Sequence, residues 1–278
     1  MGLRIRTNIA SLNAQRNLSS MSGETNKSLQ RLSSGKRIVN AGDDAAGLSI
    51  SQNLEAQLRG YRQATRNAND GISVIQTAEG GLNEVGNILV RLRELSVQSA
   101  SDTLGNQERS FLDAEVQQLK VEMNRIADAT NFNGTNLLNG ESEAGVLAFQ
   151  VGAFAGEANV ISFDANATNI KTENVGVDGV TLATREDSLN SMQTIDDAIF
   201  RVNEMRANLG AVQNRLQSTV RSLKITDENM ASAKSRIEDT DVALESSKLV
   251  QNQILQQASV ATLGQANVAP RAALTLVS

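Results

Sequence analysis

The chain of 278 residues contains no His, Cys or Trp, one Pro and one Tyr, and only 3% of its residues are aromatic. Without His and Cys it lacks the commonest general base, metal ligands and thiol nucleophile, and no phosphate-binding or nucleophile motif replaces them. We therefore expect a protein that is not an enzyme and needs no cofactor or metal. The net charge of −5 is uneven, since residues 1–40 carry seven bases against one acid, whereas residues 141–197 carry two bases against ten acids.

The basic segment 1–40 does not predict a nucleic-acid-binding arm, because its bases are scattered and no aromatic residues interleave with them. Residues 1–8 lack the apolar core of a secretory signal peptide, and no run of 18 apolar residues is present to span a membrane. We therefore expect neither nucleic acid nor a membrane as a partner. These rules alone would place the protein in the cytoplasm.

Three helical stripes are predicted in the first half of the chain. A weak one ends at breaks marked by Gly35 and Gly42 and consists of Ile5, Ile9, Leu12, Met21, Leu29 and Leu32. A stronger one repeats every seven residues, at Leu54, Tyr61, Ala68, Ile75, Leu82 and Leu89, with Leu58, Ile72, Val85 and Leu92 as companions. Such heptads predict a coiled-coil helix. After a loop marked by Ser101, Asp102 and Gly105, a third stripe comprises Leu112, Val116, Leu119, Met123 and Ile126.

The middle of the chain has a different pattern. Residues 131–140 are dense in Asn and Gly, which favours turns. Apolar residues then alternate with others and predict a β-hairpin, with Leu147, Phe149 and Val151 on one strand and Ile161 and Phe163 on the other. Residues 164–188 are polar, acidic and aperiodic, so we expect an exposed loop or short strands. Asp187 or Ser188 is the predicted cap of the next helix.

The second half shows the strongest periodicity. Heptad spacing holds over eight repeats, at Ile195, Val202, Leu209, Leu216, Leu223, Met230, Ile237 and Leu244. We expect residues 195–268 to form one helix that ends before Pro270, with a length on the order of 110 Å at about 1.5 Å per residue. The predicted fold is therefore mainly α, with long antiparallel coiled-coil helices from both chain halves and a small β-hairpin inserted between them.

Several longer segments carry a family resemblance. They are TNIASLNAQR at 7–16, LSSGKRI at 32–38, AGDDAAGL at 41–48, RLRELSVQSA at 91–100, NQILQQA at 252–258 and QAN at 265–267. Together they resemble bacterial flagellins over about 1–140 and 190–278. The resemblance implies an extracellular structural subunit of the flagellar filament, which polymerises into a helical tube for swimming motility.

The resemblance also implies a division into domains. Residues 1–42 and 236–278 would form an inner-tube coiled coil, and residues 43–140 and 185–235 an outer tube of helices. Residues 141–184 would form the β-hairpin and a short exposed variable segment. Because both ends are short of large apolar residues or rich in Gln and Ala, we expect each to be a marginal helix alone and to become ordered in a homopolymer.

Further partners follow from the resemblance alone. The chain would be exported unfolded through the flagellar type III channel, and a chaperone would shield its C-terminal segment, roughly 244–278. Flagellar cap and hook-associated proteins would contact the assembled polymer. In a vertebrate host, Toll-like receptor 5 would bind the outer-tube helix through Arg91, Leu95 and Glu115, although the same residues are also compatible with a core leucine and two surface charges.

Two alternatives are open at this stage. A flagellar hook–filament junction protein would share these ends but remain a short adaptor. A secreted pore-forming or tip protein of a virulence secretion system would need a hydrophobic hairpin of membrane length, which the sequence does not contain.

Overall fold

The protein is mainly helical with two small β-hairpins, as the computed structural model shows for residues 7–142 and 145–275. Arg4, Ile5 and Arg6, which belong to the predicted basic segment and first stripe, lie outside the described residues. The helices are α1 (Ile9–Ser34), α2 (Ala45–Ser99), α3 (Asn106–Ala129), α4 (Thr172–Val175), α5 (Arg185–Glu238) and α6 (Val242–Thr275). The strands are β1 (Asn131–Phe132), β2 (Thr135–Asn136), β3 (Val146–Gln150) and β4 (Val160–Asp164). The predicted fold class is confirmed.

Two predicted helix breaks in the first half are confirmed. Helix α1 ends at Ser34, and Gly35 follows as a left-handed cap with φ of 69°, a backbone conformation that glycine adopts without a Cβ clash. At its start, the Asn8 side chain accepts a hydrogen bond of 3.1 Å from the backbone N–H of Ser11. Helix α2 ends at Ser99, and α3 begins after Gly105.

The prediction of one helix over 195–268 is wrong, because α5 ends at Glu238 and α6 begins at Val242. The Asp241 carboxylate starts the new helix by accepting hydrogen bonds from the backbone N–H groups of Ala243 (2.9 Å) and Leu244 (3.1 Å). A heptad pattern reports which face of a helix is apolar, so it does not detect a short interruption that an N-cap residue creates.

The predicted helix end before Pro270 is also wrong, since α6 continues to Thr275. Proline has no N–H, so the carbonyl oxygen of Ala266, four residues earlier, loses its helical donor. The side chain of Asn8 replaces that donor and reaches the Ala266 oxygen at 2.8 Å. A contact with a distant segment thus satisfies the group that the proline leaves unpaired.

Helix α5 begins earlier than predicted. Thr184, rather than Asp187 or Ser188, is its cap, since the Thr184 hydroxyl oxygen accepts from the backbone N–H of Asp187 at 3.1 Å. The same hydroxyl donates to the Asp187 carboxylate at 2.6 Å. Asp187 therefore occupies the third helical position of a reciprocal capping arrangement.

The predicted β-hairpin is confirmed as the antiparallel pair β3–β4, in which Leu147 lies opposite Phe163 and Phe149 opposite Ile161. Val151 lies just beyond β3. The Asn- and Gly-rich segment, predicted as turns, forms the second hairpin β1–β2. Its turn places Asn133 and Gly134 at positive φ, 51° and 82°, which is the preferred geometry of an Asn-Gly hairpin turn.

The segment after β4 is not an exposed loop, so that part of the prediction is wrong. Its apolar side chains are buried in the core: Ile170, Val175, Val177, Val180 and Leu182. Polar side chains of α3 hold the segment in place. Lys120 Nζ donates to the backbone oxygen of Asp178, and the backbone N–H of Leu182 donates to the Asp113 carboxylate at 2.8 Å.

The chain divides into two compact units. The first contains residues up to Ala56 and from Asn229 onward, and the second contains residues 57–228. The β-hairpin and the segment after it belong to the second unit. That unit has a continuous apolar core, which includes Ile75, Leu82 and Leu89 of α2, Met123 of α3, and Ile195, Leu209 and Leu216 of α5. Among the described residues, no helix is both long and apolar enough to cross a membrane.

Candidate assembly interface

Helices α1 and α6 of the first unit lie side by side and run antiparallel. At one end the Asn8 amide donates to the Ala266 oxygen at 2.8 Å, and the Ser11 hydroxyl reaches the Asn267 side-chain oxygen at 2.9 Å. Near the other end, the Ser28 hydroxyl donates to the Glu245 carboxylate at 2.8 Å. The two helices therefore remain in register over about twenty residues of each chain end.

The face that α6 turns towards α1 is mostly polar. Its least exposed positions alternate by four and three residues, as in a coiled-coil seam: Glu245, Leu249, Asn252, Gln256, Ser259, Leu263 and Ala266. Among the side chains that the structure describes in this unit, the buried apolar ones are Ala14 and Ile38. The helix pair therefore has almost no hydrophobic core of its own.

Apart from Leu249 and Leu263, the large apolar side chains described on α6 lie on its solvent-facing sides. Seven are between 41% and 60% exposed: Val242, Leu244, Val250, Ile254, Leu255, Val260 and Val268. On α1, Ile9, Leu12 and Leu29 are also about half exposed. A helix that exposes this many large apolar side chains is a candidate protein–protein interaction site.

The joint between α5 and α6 is held by segment 35–37, which follows α1. The backbone N–H of Arg37 donates to the Glu238 oxygen at 2.6 Å, and the backbone N–H of Thr240 donates to the Gly35 oxygen at 3.0 Å. The Arg37 guanidinium also reaches the Ile237 oxygen, at 2.6 Å from Nη2. Backbone groups left unpaired where the helix breaks thus find partners near the first helix.

Two buried carboxylates flank this joint, and each is matched by cations. Glu238 pairs with Lys36 at 2.5 Å and with Lys234 at 3.6 Å. Glu245 accepts the Ser28 hydroxyl and lies 3.8 Å from the Arg31 guanidinium. Pairing of this kind offsets the cost of removing a carboxylate from water. Within the part of the chain that the structure describes, no group of three or more acidic side chains could hold a metal ion.

Asp43 organises the loop between α1 and α2, in which it lies. Its carboxylate accepts the backbone N–H groups of Asn40 (3.0 Å) and Val39 (3.1 Å), and the Arg31 guanidinium lies 3.6 Å away. The hydrogen bond from Asn40, then that from Val39, and the nearby positive charge of Arg31 lower the pKa of Asp43 below its ordinary value of 3.8.

Replacement of Asp43 with Ala is expected to loosen loop 35–44 in a pH-dependent way. Because the native pKa is lowered, the carboxylate stabilises the loop fully above pH 3.8 and loses this effect as the pH falls through the native pKa. Amide hydrogen exchange of Val39 and Asn40, compared between wild type and variant at each pH, should therefore differ at pH 6, and the difference should shrink as the pH falls below 3.8. An undiminished difference at the lowest pH would contradict this role of the ionised carboxylate.

The residues of the predicted heptad seams differ in burial. In the second unit, Ile75, Leu82, Leu89, Ile195, Val202, Leu209, Leu216 and Leu223 are buried, and Tyr61 is half-buried. In the first unit, Leu54, Met230 and Ile237 are half-buried, whereas Leu244 is 56% exposed. Leu244 lies beyond the end of α5, and on α6 it is the neighbouring Glu245 that faces α1.

The three residues assigned by resemblance to receptor binding lie near each other in the second unit. Arg91 on α2 forms an ion pair of 2.9 Å with Glu115 on α3, and a second of 3.1 Å with Glu94. Leu95, one turn from Arg91, is only 1% exposed and belongs to the core. An exposed charge pair and a buried leucine beneath it are thus brought together.

The sequence analysis did not predict two buried cationic side chains, Arg109 and Lys120. Arg109 donates to the backbone oxygens of Ser99 and Ser101, each at 2.9 Å, and so closes the loop between α2 and α3. Lys120 donates to the backbone oxygens of Asp178 and Val180. Their burial could have been predicted from their position, because they lie on the same face of α3 as the apolar residues Val116 and Met123.

Comparison with known proteins agrees with this architecture. Residues 5–143 match the family model of the bacterial flagellin N-terminal helical region, and residues 192–277 match that of the bacterial flagellin C-terminal helical region. Among curated proteins, a flagellin of Halalkalibacterium halodurans is 42% identical over 273 residues, which cover 98% of this chain and 99% of the relative. A flagellar filament core protein of Brachyspira hyodysenteriae is 40% identical over 282 residues, with 98% and 99% covered.

Among solved structures, the crystal structure of Bacillus cereus flagellin is 29% identical, with a TM-score of 0.51, and the match covers 61% of this chain and 94% of that one. The family models match at both ends of the chain, as the resemblance implied, and the curated relatives align over nearly its whole length. The chain therefore belongs to the bacterial flagellin family.

Proposed function

We propose that the chain is a structural subunit of the extracellular bacterial flagellar filament, and that its paired terminal helices drive polymerisation. The observation that carries this mechanism is the exposed apolar surface of α6, whose seven large side chains are 41–60% exposed while polar residues face α1. Contact with other copies would remove that surface from water. The role is structural, and the proposal includes no catalysis.

The magnitudes favour many weak contacts over one tight pair. Burying the exposed parts of seven side chains contributes on the order of 5–10 kcal/mol, if full burial of one is worth about 1.5–3 kcal/mol. Association itself costs roughly 4–15 kcal/mol. A single neighbour that covers one side of α6 therefore gives little net stability. Neighbours on several sides bury the whole circumference of the helix, and this favours a polymer over a dimer.

An open filament also requires that contacts do not close into a ring. Contacts between two different surfaces of identical subunits propagate into a helix when the rotation between subunits does not close. The unequal faces of α1 and α6 supply such surfaces, since α6 carries large apolar residues on its outward sides, whereas α1 is rich in Ser and Asn and has four charged residues. Growth by addition of identical subunits then yields a long tube for swimming motility.

The same exposed surface accounts for further partners in the proposal. Before assembly, an export chaperone would cover the C-terminal segment 244–278, because seven exposed apolar residues in one helix would otherwise favour aggregation. Export of the unfolded chain through the type III channel would avoid any need to thread a folded core. Flagellar cap and hook-associated proteins would meet the filament at its two ends.

Recognition by Toll-like receptor 5 is proposed for the surface around Arg91 and Glu115. These side chains are about half exposed and form one ion pair, so they present a fixed charge pattern. Leu95 would act indirectly, since it is buried beneath them and keeps α2 in place.

Replacement of both Arg91 and Glu115 with Ala is expected to reduce receptor signalling by about tenfold or more, because charged contacts at the centre of an interface are often worth over 1.4 kcal/mol. Reporter cells that express the receptor would measure the response to monomer. The double variant Arg125→Ala with Glu122→Ala removes a similar exposed ion pair on the same helix as Glu115 and serves as the control. Equal signalling by wild type and the Arg91/Glu115 variant would exclude this surface.

Polymerisation itself is tested by negative-stain electron microscopy of the purified protein, after addition of ammonium sulfate and with or without short filament seeds. Long tubes of uniform diameter are the expected result. Monomers or short caps despite seeding would instead favour a hook–filament junction protein, which shares flagellin-like ends without forming a long polymer.

A further inference from the structure

The second unit carries a small groove between α2 and α5 that its own fold does not fill. Its volume is about 140 Å³, and its lining includes Gly86 and Val90 of α2 and Ile199 and Arg206 of α5. A cavity of about 150 Å³ in another protein is large enough to hold benzene. This surface, called the Gly86 groove below, is therefore large enough for one aromatic side chain.

The glycine at the floor of this groove has no explanation within one copy. Glycine inside a helix is disfavoured relative to alanine, and a Cβ added at Gly86 would meet no atom within 4 Å. Gly81, one and a half turns earlier, differs, since a Cβ there would lie 2.6 Å from Leu138 Cδ1. Close packing inside the unit thus requires glycine at 81 but not at 86. Close approach by a group from outside the unit would account for glycine at position 86.

The groove is also charged. Arg206 lines it, and within the described residues Arg206 forms no ion pair or hydrogen bond. Val90, on the opposite wall, is half exposed. Three asparagines complete the mixed lining, so an occupant that suits the groove has an apolar group to pack against Val90 and Ile199 and a negative charge beside Arg206.

The start of α3 presents that combination on the same chain. Phe111 is 67% exposed, and Glu108 lies three residues earlier on the same side of the helix. Among the described residues, Glu108 likewise forms no ion pair. An exposed aromatic ring beside an unpaired carboxylate matches, in size and in charge, a ring-sized groove beside an unpaired guanidinium.

We propose that Phe111 of one copy inserts into the Gly86 groove of a neighbouring copy, and that Glu108 pairs there with the neighbour's arginine at position 206. The inference rests on the proposed filament function and specifies one contact within it. The contact joins two different surfaces, which is the type of contact that an open helical polymer requires. Phe200 is also 71% exposed, but it lies beside Ile199 in the groove wall. A contact through Phe200 would bring like surfaces together, as in a closed dimer.

A charge-exchange experiment tests the pairing in the full chain. Glu108→Arg and Arg206→Glu should each raise the critical concentration for seeded polymerisation by about tenfold, because each places like charges together. The double variant should return to within about twofold of wild type. Circular dichroism should show unchanged helicity in all three. Single variants that polymerise normally, or a double variant no better than the singles, would overturn the pairing.

Two glycine substitutions separate an effect on the stability of the monomer from an effect on polymerisation. Gly86→Ala and Gly80→Ala should both raise the melting temperature of the monomer by about 2 °C, since both sites are open helix positions. Only Gly86→Ala should weaken polymerisation, and Phe111→Ala should do the same. Equal effects of the two glycine changes, or a defect with Phe200→Ala but not with Phe111→Ala, would overturn the assignment. A wild-type protein that never polymerises would overturn the proposed function and this contact with it.

Discussion

Replacement of Leu89 with Ala is expected to lower the free energy of unfolding of the second unit by about 3 kcal/mol, within the range of 2–5 kcal/mol usual for buried leucines. Leu89 is 0% exposed and belongs to the core that α2, α3 and α5 share. The loss has two parts, the removed apolar contact and the cavity that remains. Thermal unfolding followed by circular dichroism should show a melting temperature lower by roughly 6–12 °C.

The matched control is Leu244→Ala, the same chemical change at another position of the predicted heptads. Leu244 is 56% exposed on α6, so its truncation should alter the stability of the monomer by less than about 0.5 kcal/mol. An equal loss of stability in Leu89→Ala and Leu244→Ala would mean that Leu244 is as buried in the monomer as Leu89, which would contradict the exposure of α6.

This pair of residues also shows how far periodicity predicts the fold. Seven-residue spacing correctly predicts long helices, and it places Leu82, Leu89, Leu209 and Leu216 on buried faces. It does so because each side chain at that spacing returns to nearly the same side of a helix. Periodicity does not report whether a partner lies on that side, and Leu244 has none in the monomer.

The features that the sequence did not predict depend on hydrogen bonds between distant segments. The break between α5 and α6 is stabilised by Gly35 and Arg37, about 200 residues away in the chain. In residues 176–182 the side chains of Val177, Val180 and Leu182 are buried, and Lys120 and Asp113 of α3 hold the backbone around them. Contacts between distant segments produce no periodic pattern of apolar residues in the sequence. A polar, aperiodic stretch is therefore predicted as an exposed loop even when its backbone is held in place.

The candidate interface was predictable only in part. The family resemblance placed the interface at the two chain ends. Residues 1–40 contain few large apolar side chains, which agrees with a helix that is only marginally stable on its own. The sequence does not predict that polar residues of α6 face α1 while large apolar residues face solvent, because the apolar residues are spread around the helix. Only the structure shows that Glu245, Asn252 and Gln256 are the residues that face α1.

A triple substitution on α6 is expected to separate assembly from folding. Val250→Ser, Ile254→Ser and Leu255→Ser together should raise the critical concentration for polymerisation at least about a hundredfold, since each loses roughly 1 kcal/mol of burial and 1.4 kcal/mol is a tenfold change. The monomer should lose little stability, because all three side chains are already 41–60% exposed. Sedimentation of filaments after seeding would measure the first effect and thermal unfolding the second.

The control places three serines on the same helix without removing apolar surface, at Gln251, Gln253 and Gln257, which are also exposed. The control lowers helix propensity at three positions and the apolar triple chiefly at Leu255, so a defect that arose from a weakened helix would be at least as large in the control. A defect confined to the apolar triple locates the driving force in the buried surface rather than in the helix itself. Leu89→Ala should instead lower the stability of the monomer. Together, Leu89→Ala and the apolar triple variant would show that the second unit folds around its own core, whereas the terminal helices bury their apolar side chains against neighbouring copies.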